Sequence, residues 1–210
     1  MAQFFSIHPT HPQLRLVRRA GHLLRGGGLI AYPTDSCYAL GCMQSASKAT
    51  ERLRRIRGVD ERHHLTLMCR DLAEIGAYAI VDDARFRLIK RVTPGSYTFI
   101  LRATRSLPRR LLHPKRKTIG IRVPAHAVAQ ALLAELDEPM LSSTLILPGD
   151  EQPLSDAAEI RERLERELEL VIDSGSSGTE ASTVIDLTGD TPLVLRKGRG
   201  SLEPFAVEAV

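Results

Sequence analysis

Leu29-Ile30-Ala31-Tyr32-Pro33 is a short apolar run closed by a proline and preceded by Gly26-Gly27-Gly28. A run of this length reads as a buried strand, and Pro33 ends it because proline has no N–H to give to a ladder. Upstream, Leu14, Val17, Ala20 and Leu24 keep the spacing of one helix face, so the glycines read as the stop of a helix that feeds the strand. Glycines that precede a strand rather than a helix do not form a phosphate loop of the Walker or Rossmann kind. The local order is helix then strand, which is the beginning of an α/β protein.

Working outward, Ala46 to Arg57 reads as a second helix and Leu65 to Cys69 as a second strand. Asp71 and Asp82 are expected to cap two further helices, the latter carrying Phe86 and Ile89. Strands are expected at Tyr97–Leu101, Thr118–Val123, Met140–Thr144, Leu170–Asp173, Thr183–Leu187 and Leu193–Arg196, with helices at Ala125–Leu136 and Ser155–Glu169. Some strands follow one another through short turns and others are separated by helices, so the sheet is expected to be mixed and flanked by helices. No internal repeat is visible. One domain over residues 14–199 is expected, with a mobile N-terminal segment (1–13) and a C-terminal tail (200–210).

The chain has 210 residues, 43% hydrophobic and 26% charged, with no apolar run long enough to span a bilayer. Met1 to Ser6 lacks the basic and apolar parts of a secretory signal, so a cytoplasmic location and no membrane partner are expected. Cys37, Cys42 and Cys69 include no C-x-x-C pair, which argues for reduced thiols and against a zinc site. His63-His64 are adjacent and do not share a face as an H-x-x-x-H pair does, so no metal is assigned to them. Ser36 and Cys37 lack the frame of a nucleophile elbow.

Charge is uneven. Arg105, Arg109, Arg110, Lys115, Arg116 and Lys117 form a run without an acid, and Arg52, Arg54, Arg55 and Arg57 form a second cluster. Asp150 to Glu169 holds eight acids. A basic front and an acidic back favour an anionic partner. Arg and hydroxyl residues recur at predicted strand and helix ends, namely Thr34, Arg55, Arg57, Arg122, Ser142 to Thr144, Ser182, Thr183 and Arg196. Such side chains suit a polyphosphate or carboxylate ligand if they converge.

Ile30-Ala31-Tyr32-Pro33-Thr34-Asp35, followed by Tyr38 and Gly41, resembles the P-T-[ED]-x-x-Y-x-L-G signature of the YrdC family of threonylcarbamoyladenylate synthases. Arg55-Ile56-Arg57 stands at the family's K-x-R, and Thr93 to Thr98 resembles its W-P-G-x-[VY]-T segment. Ile121-Arg122-Val123-Pro124, Ser182 to Leu187 and Leu195 to Gly198 are similar to three further elements, in family order. Leu67 to Leu72 and Pro108 to Gly120 resemble the YciO branch. The resemblance implies a YrdC-like α/β domain, a twisted mixed sheet flanked by helices around a concave basic cavity. It also implies a nucleotidyltransferase that joins ATP, L-threonine and bicarbonate into threonylcarbamoyl-AMP for tRNA modification. On that reading Arg55 and Arg57 are catalytic, and Arg55, Arg57, Thr144 and Arg196 hold the nucleotide. Thr34, Arg122 and Ser182 hold threonine, and Mg²⁺ arrives with ATP rather than in a protein cage. Thr144 and Ile146 stand where the family has S-x-N, so a side chain able to hydrogen-bond has become apolar. The alternative is a protein of the same fold that binds double-stranded RNA or tRNA through Arg109, Arg110, Lys115 and Arg116, without synthase activity. With four Tyr, five Phe and no Trp in the chain, and none of them in the basic run, RNA would be met through its backbone.

Overall fold

The computed structural model describes residues 1–205. Its strands are β1 (Gln3–Ser6), β2 (Ile30–Tyr32), β3 (Ala39–Met43), β4 (Thr66–Met68), β5 (Tyr97–Arg102), β6 (Thr118–Arg122), β7 (Met140–Thr144), β8 (Leu170–Asp173), β9 (Thr183–Asp186) and β10 (Leu193–Arg196). Six α-helices connect them: α1 (Leu14–Arg25), α2 (Ser47–Arg57), α3 (Leu72–Tyr78), α4 (Asp83–Val92), α5 (Ala127–Leu136) and α6 (Ala157–Leu164). All ten strands join one sheet in the order β1-β8-β2-β3-β7-β4-β6-β5-β9-β10. The sheet is mixed: β1–β8, β8–β2, β4–β6 and β5–β9 are parallel, and the other neighbours are antiparallel.

Alternation along each strand assigns the two faces. Leu29 and Ala31 pack in one cluster with Leu53 of α2, Ile75 of α3, Ile89 of α4 and Ile160 of α6. Ile30 and Tyr32 pack in the other, with Val17 and Leu24 of α1 and Leu132 of α5. Because successive side chains point to opposite faces, a three-residue strand serves both layers. Asp71 and Asp82 cap α3 and α4 as expected, accepting from the amides of Glu74 and Arg85.

Several expectations change. The N-terminal segment is not mobile throughout: Gln3–Ser6 pairs in parallel with Leu170–Asp173, and Phe5 and Ile7 are buried. Ala39–Met43 is a strand that the sequence reading passed over, fully buried between β2 and β7. The helix expected to reach Glu169 ends at Leu164, because Glu169 turns inward, where its carboxylate accepts from the Leu29 amide and pairs with Arg52 at 2.5 Å. The opposed charge runs therefore partly neutralise each other, since Arg55 also pairs with Glu167, at 2.7 Å. Of the tail expected at 200–210, residues up to Phe205 are packed, with Phe205 buried against Tyr97 and Phe99, and 206–210 lie outside the described residues.

Gly198 shows why glycine is needed after β10. A Cβ there would lie 2.2 Å from the Ala181 carbonyl oxygen and 2.7 Å from the Ser182 carbonyl carbon, both backbone atoms. Gly198→Ala should therefore destabilise the fold by about 1–3 kcal/mol. Gly76→Ala, inside α3 with open space around it, should stabilise by about 0.5–1 kcal/mol. Urea unfolding of the two variants beside the parent chain checks both signs.

Candidate active site

On the face covered by α1 and α5, apolar residues give way to hydroxyls beyond β3. Ser142 and Thr144 of β7, Thr66 of β4 and Thr98 of β5 line a cavity of about 250 Å³ together with Arg57, Arg122, Ser182 and Arg196. Gly120 of β6 lies between Thr66 and Thr98 on this face: a Cβ there would lie 3.2 Å from the Leu65 carbonyl and 3.3 Å from the Thr98 methyl.

Arg122 ends β6 and is buried. Its Nη2 donates to Asp35 Oδ1 at 2.8 Å and its Nη1 to Ser36 Oγ at 3.0 Å, while its Nε is buried without a partner. Asp35 also accepts from Ser96 Oγ at 2.6 Å and from the Ala125 amide at 3.1 Å. Burial alone would raise the Asp35 carboxyl, but Arg122 and these donors hold it below the usual carboxylate range. The pair joins the loop after β2 to the ends of β6 and β5.

Arg57, the last residue of α2, enters from the other side. Its Nε donates to Ser143 Oγ at 3.1 Å and its Nη1 to the Ile146 carbonyl. Gly58 follows at φ +62, a conformation that favours glycine, and turns the chain from α2 toward β4. Arg196 donates through Nε and Nη2 to the Ser182 carbonyl at 3.1 and 2.9 Å. Burial lowers the Arg57 and Arg196 guanidinium pKa values, as do Arg196 for the former and Arg122 for the latter. Among the described residues Arg57, Arg62 and Arg196 have no carboxylate within salt-bridge distance, so four guanidiniums line the cavity and only Arg122, through Asp35, is paired with an acid.

The structure thus brings together Thr34, Arg57, Arg122, Thr144, Ser182 and Arg196. It does not bring Arg55, because two residues along a helix rotate the side chain by about 200°. Arg55 is exposed and turned to Glu167. The hydroxyl of Thr34 is engaged in its own loop, donating to the Cys37 carbonyl at 2.7 Å. Ser182 Oγ lies 2.8 Å from Thr98 Oγ1. Ile146 meets the site through its carbonyl, and its side chain is not part of the cavity wall. The basic run Arg105 to Lys117 lies outside this cavity.

Asp35 and the two histidines were not assigned from sequence. Asp35 stood in the motif, and its part becomes visible only when β6 is placed beside it. His63 and His64 line the cavity wall. His64 Nε2 lies 2.8 Å from Thr118 Oγ1 and its ring stacks on His113, and burial, with the neighbouring His113, lowers its pKa to about 4. Among the described residues no group of three or more His, Cys, Asp or Glu is arranged to hold a metal ion, and no helix is long and apolar enough to cross a membrane.

A family model described as "Telomere recombination", that of the Sua5, YciO and YrdC proteins, matches residues 22–198. The chain belongs to this family. It is 55% identical to YciO of Escherichia coli (strain K12) over 98% of this chain and 100% of that protein, and the crystal structure of E. coli YciO superposes with a TM-score of 0.95. A threonylcarbamoyl-AMP synthase of Chromobacterium violaceum is 33% identical over 85% of this chain and 92% of its own. The structure of Pyrococcus abyssi Sua5 complexed with L-threonine is 27% identical with a TM-score of 0.87, covering 95% of this chain and 58% of that longer protein. The family resemblance and the mixed sheet flanked by helices expected from it are therefore borne out.

Asp35→Asn leaves Arg122 buried beside a neutral partner and should cost about 3–5 kcal/mol. Because folding lowers the Asp35 pKa, its stabilisation is complete above its ordinary value of 3.8 and is lost as pH falls through the folded value. Denaturant melts from pH 7 down to pH 3 should show that portion of the acid sensitivity in the parent chain and not in the variant.

Proposed function

We propose that this chain is a threonylcarbamoyl-AMP synthase-like nucleotidyltransferase that takes L-threonine, bicarbonate and Mg-ATP. The observation that supports it most is the excess of guanidinium over carboxylate in the cavity of Arg57, Arg122 and Arg196. Buried cations call for an anion, and guanidinium forks match carboxylate and phosphate. At about 250 Å³ the enclosed part is smaller than the roughly 300–1,000 Å³ of drug-sized pockets, which suits an amino acid with the reacting phosphate while the nucleoside extends to the mouth.

The chemistry needs no enzyme nucleophile. A carbamate oxygen formed from threonine and bicarbonate attacks the α-phosphorus, the bond to the β-phosphate oxygen breaks, and pyrophosphate leaves. Positioning and charge stabilisation are sufficient work for arginines and hydroxyls. Arg57 and Arg196 neutralise the phosphates, with Thr144 beside them. Arg122 pairs with the threonine carboxylate, with Ser182 and the Thr34 loop forming the wall. Mg²⁺ enters with the nucleotide as its counter-ion. Arg55, on the opposite side of α2, takes no part.

Purified protein with L-threonine, bicarbonate and Mg-ATP should release pyrophosphate and threonylcarbamoyl-AMP. Arg57→Ala and Arg196→Ala should each lower turnover by roughly ten- to a hundredfold, the worth of a hydrogen bond to a charged group. Absence of product together with absence of calorimetric binding of ATP and threonine refutes the reading.

A second reading, RNA binding, is supported by one observation. Of the six exposed cations from Arg105 to Lys117, Arg116 has a carboxylate nearby, Asp186 at 3.8 Å, and Arg110 donates to the Gln44 carbonyl. Among the described residues Arg105, Arg109, Lys115 and Lys117 have no acid within salt-bridge distance, so this exposed stretch keeps a net positive charge. Replacing those four by Gln should flatten the slope of log affinity for duplex RNA against log salt by up to about 4. An unchanged slope would assign these charges to surface solvation alone.

A further inference from the structure

The reaction above releases a proton that the guanidiniums, Asp35 and Cys37 of the site cannot take, and one side chain of the cavity has no other employment. At neutral pH the amino group of threonine is an ammonium. Joining it to bicarbonate forms the N–C bond, breaks a C–OH bond with loss of water, and leaves one net proton: R–NH₃⁺ plus HCO₃⁻ gives R–NH–COO⁻, H₂O and H⁺. Guanidiniums cannot accept it, being protonated throughout. Asp35 is held by Arg122, Ser96 and the Ala125 amide, and its carboxyl is among the weaker bases of the site. Cys37 carries its proton, since burial raises its thiol.

His63 differs from these. It lines the same cavity, on the turn that Gly58 starts between α2 and β4, and it is exposed at the rim. Its backbone is fixed at both ends, the amide donating to the Asp60 carbonyl at 3.3 Å and the carbonyl accepting from Arg54 at 3.3 Å. Its ring nitrogens have no hydrogen-bond partner among the described residues, whereas the ring of its neighbour His64 is taken up by Thr118 and His113. The charged groups around it are Arg57 and Arg54 from α2, Arg196 from β10, and Asp60 and Arg62 from its own turn, Arg62 lining the same cavity. Partial burial, then Arg57, Arg54 and Arg196, lower its pKa below 6.5, and Asp60 opposes them, so the imidazole is neutral and basic at pH 7.

Building on the proposed synthase reading, we infer that His63 is the proton acceptor for carbamate formation, taking the proton lost by the threonine ammonium and passing it to solvent at the rim. Its exposure serves the second half of that task. An imidazolium beside Arg57 and Arg196 is unfavourable and is discharged quickly into water.

The test is a pH–rate profile of threonylcarbamoyl-AMP formation for the parent chain, His63→Gln, His63→Ala and His64→Gln, with calorimetry of threonine and Mg-ATP on each. The parent should show an acid limb with its midpoint below pH 6.5 and a plateau above it. In His63→Gln turnover at pH 7 should fall about a hundredfold, the usual lower bound for a positioned base, the acid limb should vanish, and ligand affinities should be retained. Added imidazole should restore part of the rate to His63→Ala. An unchanged profile in His63→Gln, failure of imidazole to rescue, or transfer of the limb's loss to His64→Gln overturns the inference while the synthase reading stands. Absence of product from the parent chain overturns the inference, and when calorimetry also shows no binding of threonine and Mg-ATP the synthase reading falls with it.

Discussion

The ion pair of Arg122 with Asp35 is the contact on which the geometry of the site depends. Three parts of the chain that are distant in sequence meet at it: the loop after β2, the end of β6 with the turn into α5, and Ser96 at the start of β5. A buried pair of this kind is weak evidence for stability, because desolvation offsets much of its attraction, but it is demanding about geometry. Each Asp35 oxygen has a donor and both terminal nitrogens of Arg122 have an acceptor, so the loop carrying Thr34 to Cys37 has one position against the sheet. The Nε of Arg122 remains buried without a partner.

Around that fixed point the sheet does two jobs. Over β2, β3 and β8 its second face is apolar and covered by α1 and α5, and over β7, β4, β6 and β5 the same face carries Ser142, Thr66, Gly120 and Thr98. A strand residue pointing away from a helix layer has to meet either water or a ligand. Small hydroxyl side chains and a glycine make that surface concave and polar without placing unpaired charges on it. The charges enter from the ends of elements, Arg57 from the end of α2, Arg122 from the end of β6 and Arg196 from the end of β10. Rigid elements therefore aim three guanidiniums at one volume, which is the arrangement that electrostatic stabilisation of phosphoryl transfer requires.

Much of this was legible from residue patterns. Apolar runs bounded by Gly and Pro located eight of the ten strands, because local burial writes a local signal. The two that were missed had none: β1 is an edge strand stabilised by β8 far along the chain, and β3 follows the signature loop without a break in composition. The motif order pointed to Thr34, Arg122, Ser182 and Arg196, but a motif says which residue stands at a position and not which way it points. Arg55 and Arg57 differ by one residue of separation and occupy opposite sides of α2. His63 was set aside because adjacent histidines make a poor metal pair, and its position depends on the turn at Gly58 rather than on any spacing.

The same distinction between side chain and backbone bears on the altered S-x-N element. Arg57 is held by the Ser143 hydroxyl and by the carbonyl of Ile146, a group that every residue type supplies. Isoleucine in place of asparagine therefore leaves the guanidinium anchored, and removes only what an amide side chain would offer to a ligand. At the other altered position, Arg55 is withdrawn from the cavity by Glu167, so exchanging a point charge for a fork there does not reach the phosphates. The positive charge of the site rests on Arg57, Arg122 and Arg196, with Arg62 also in the wall, and the two departures from the family pattern change the periphery of that charge rather than its centre.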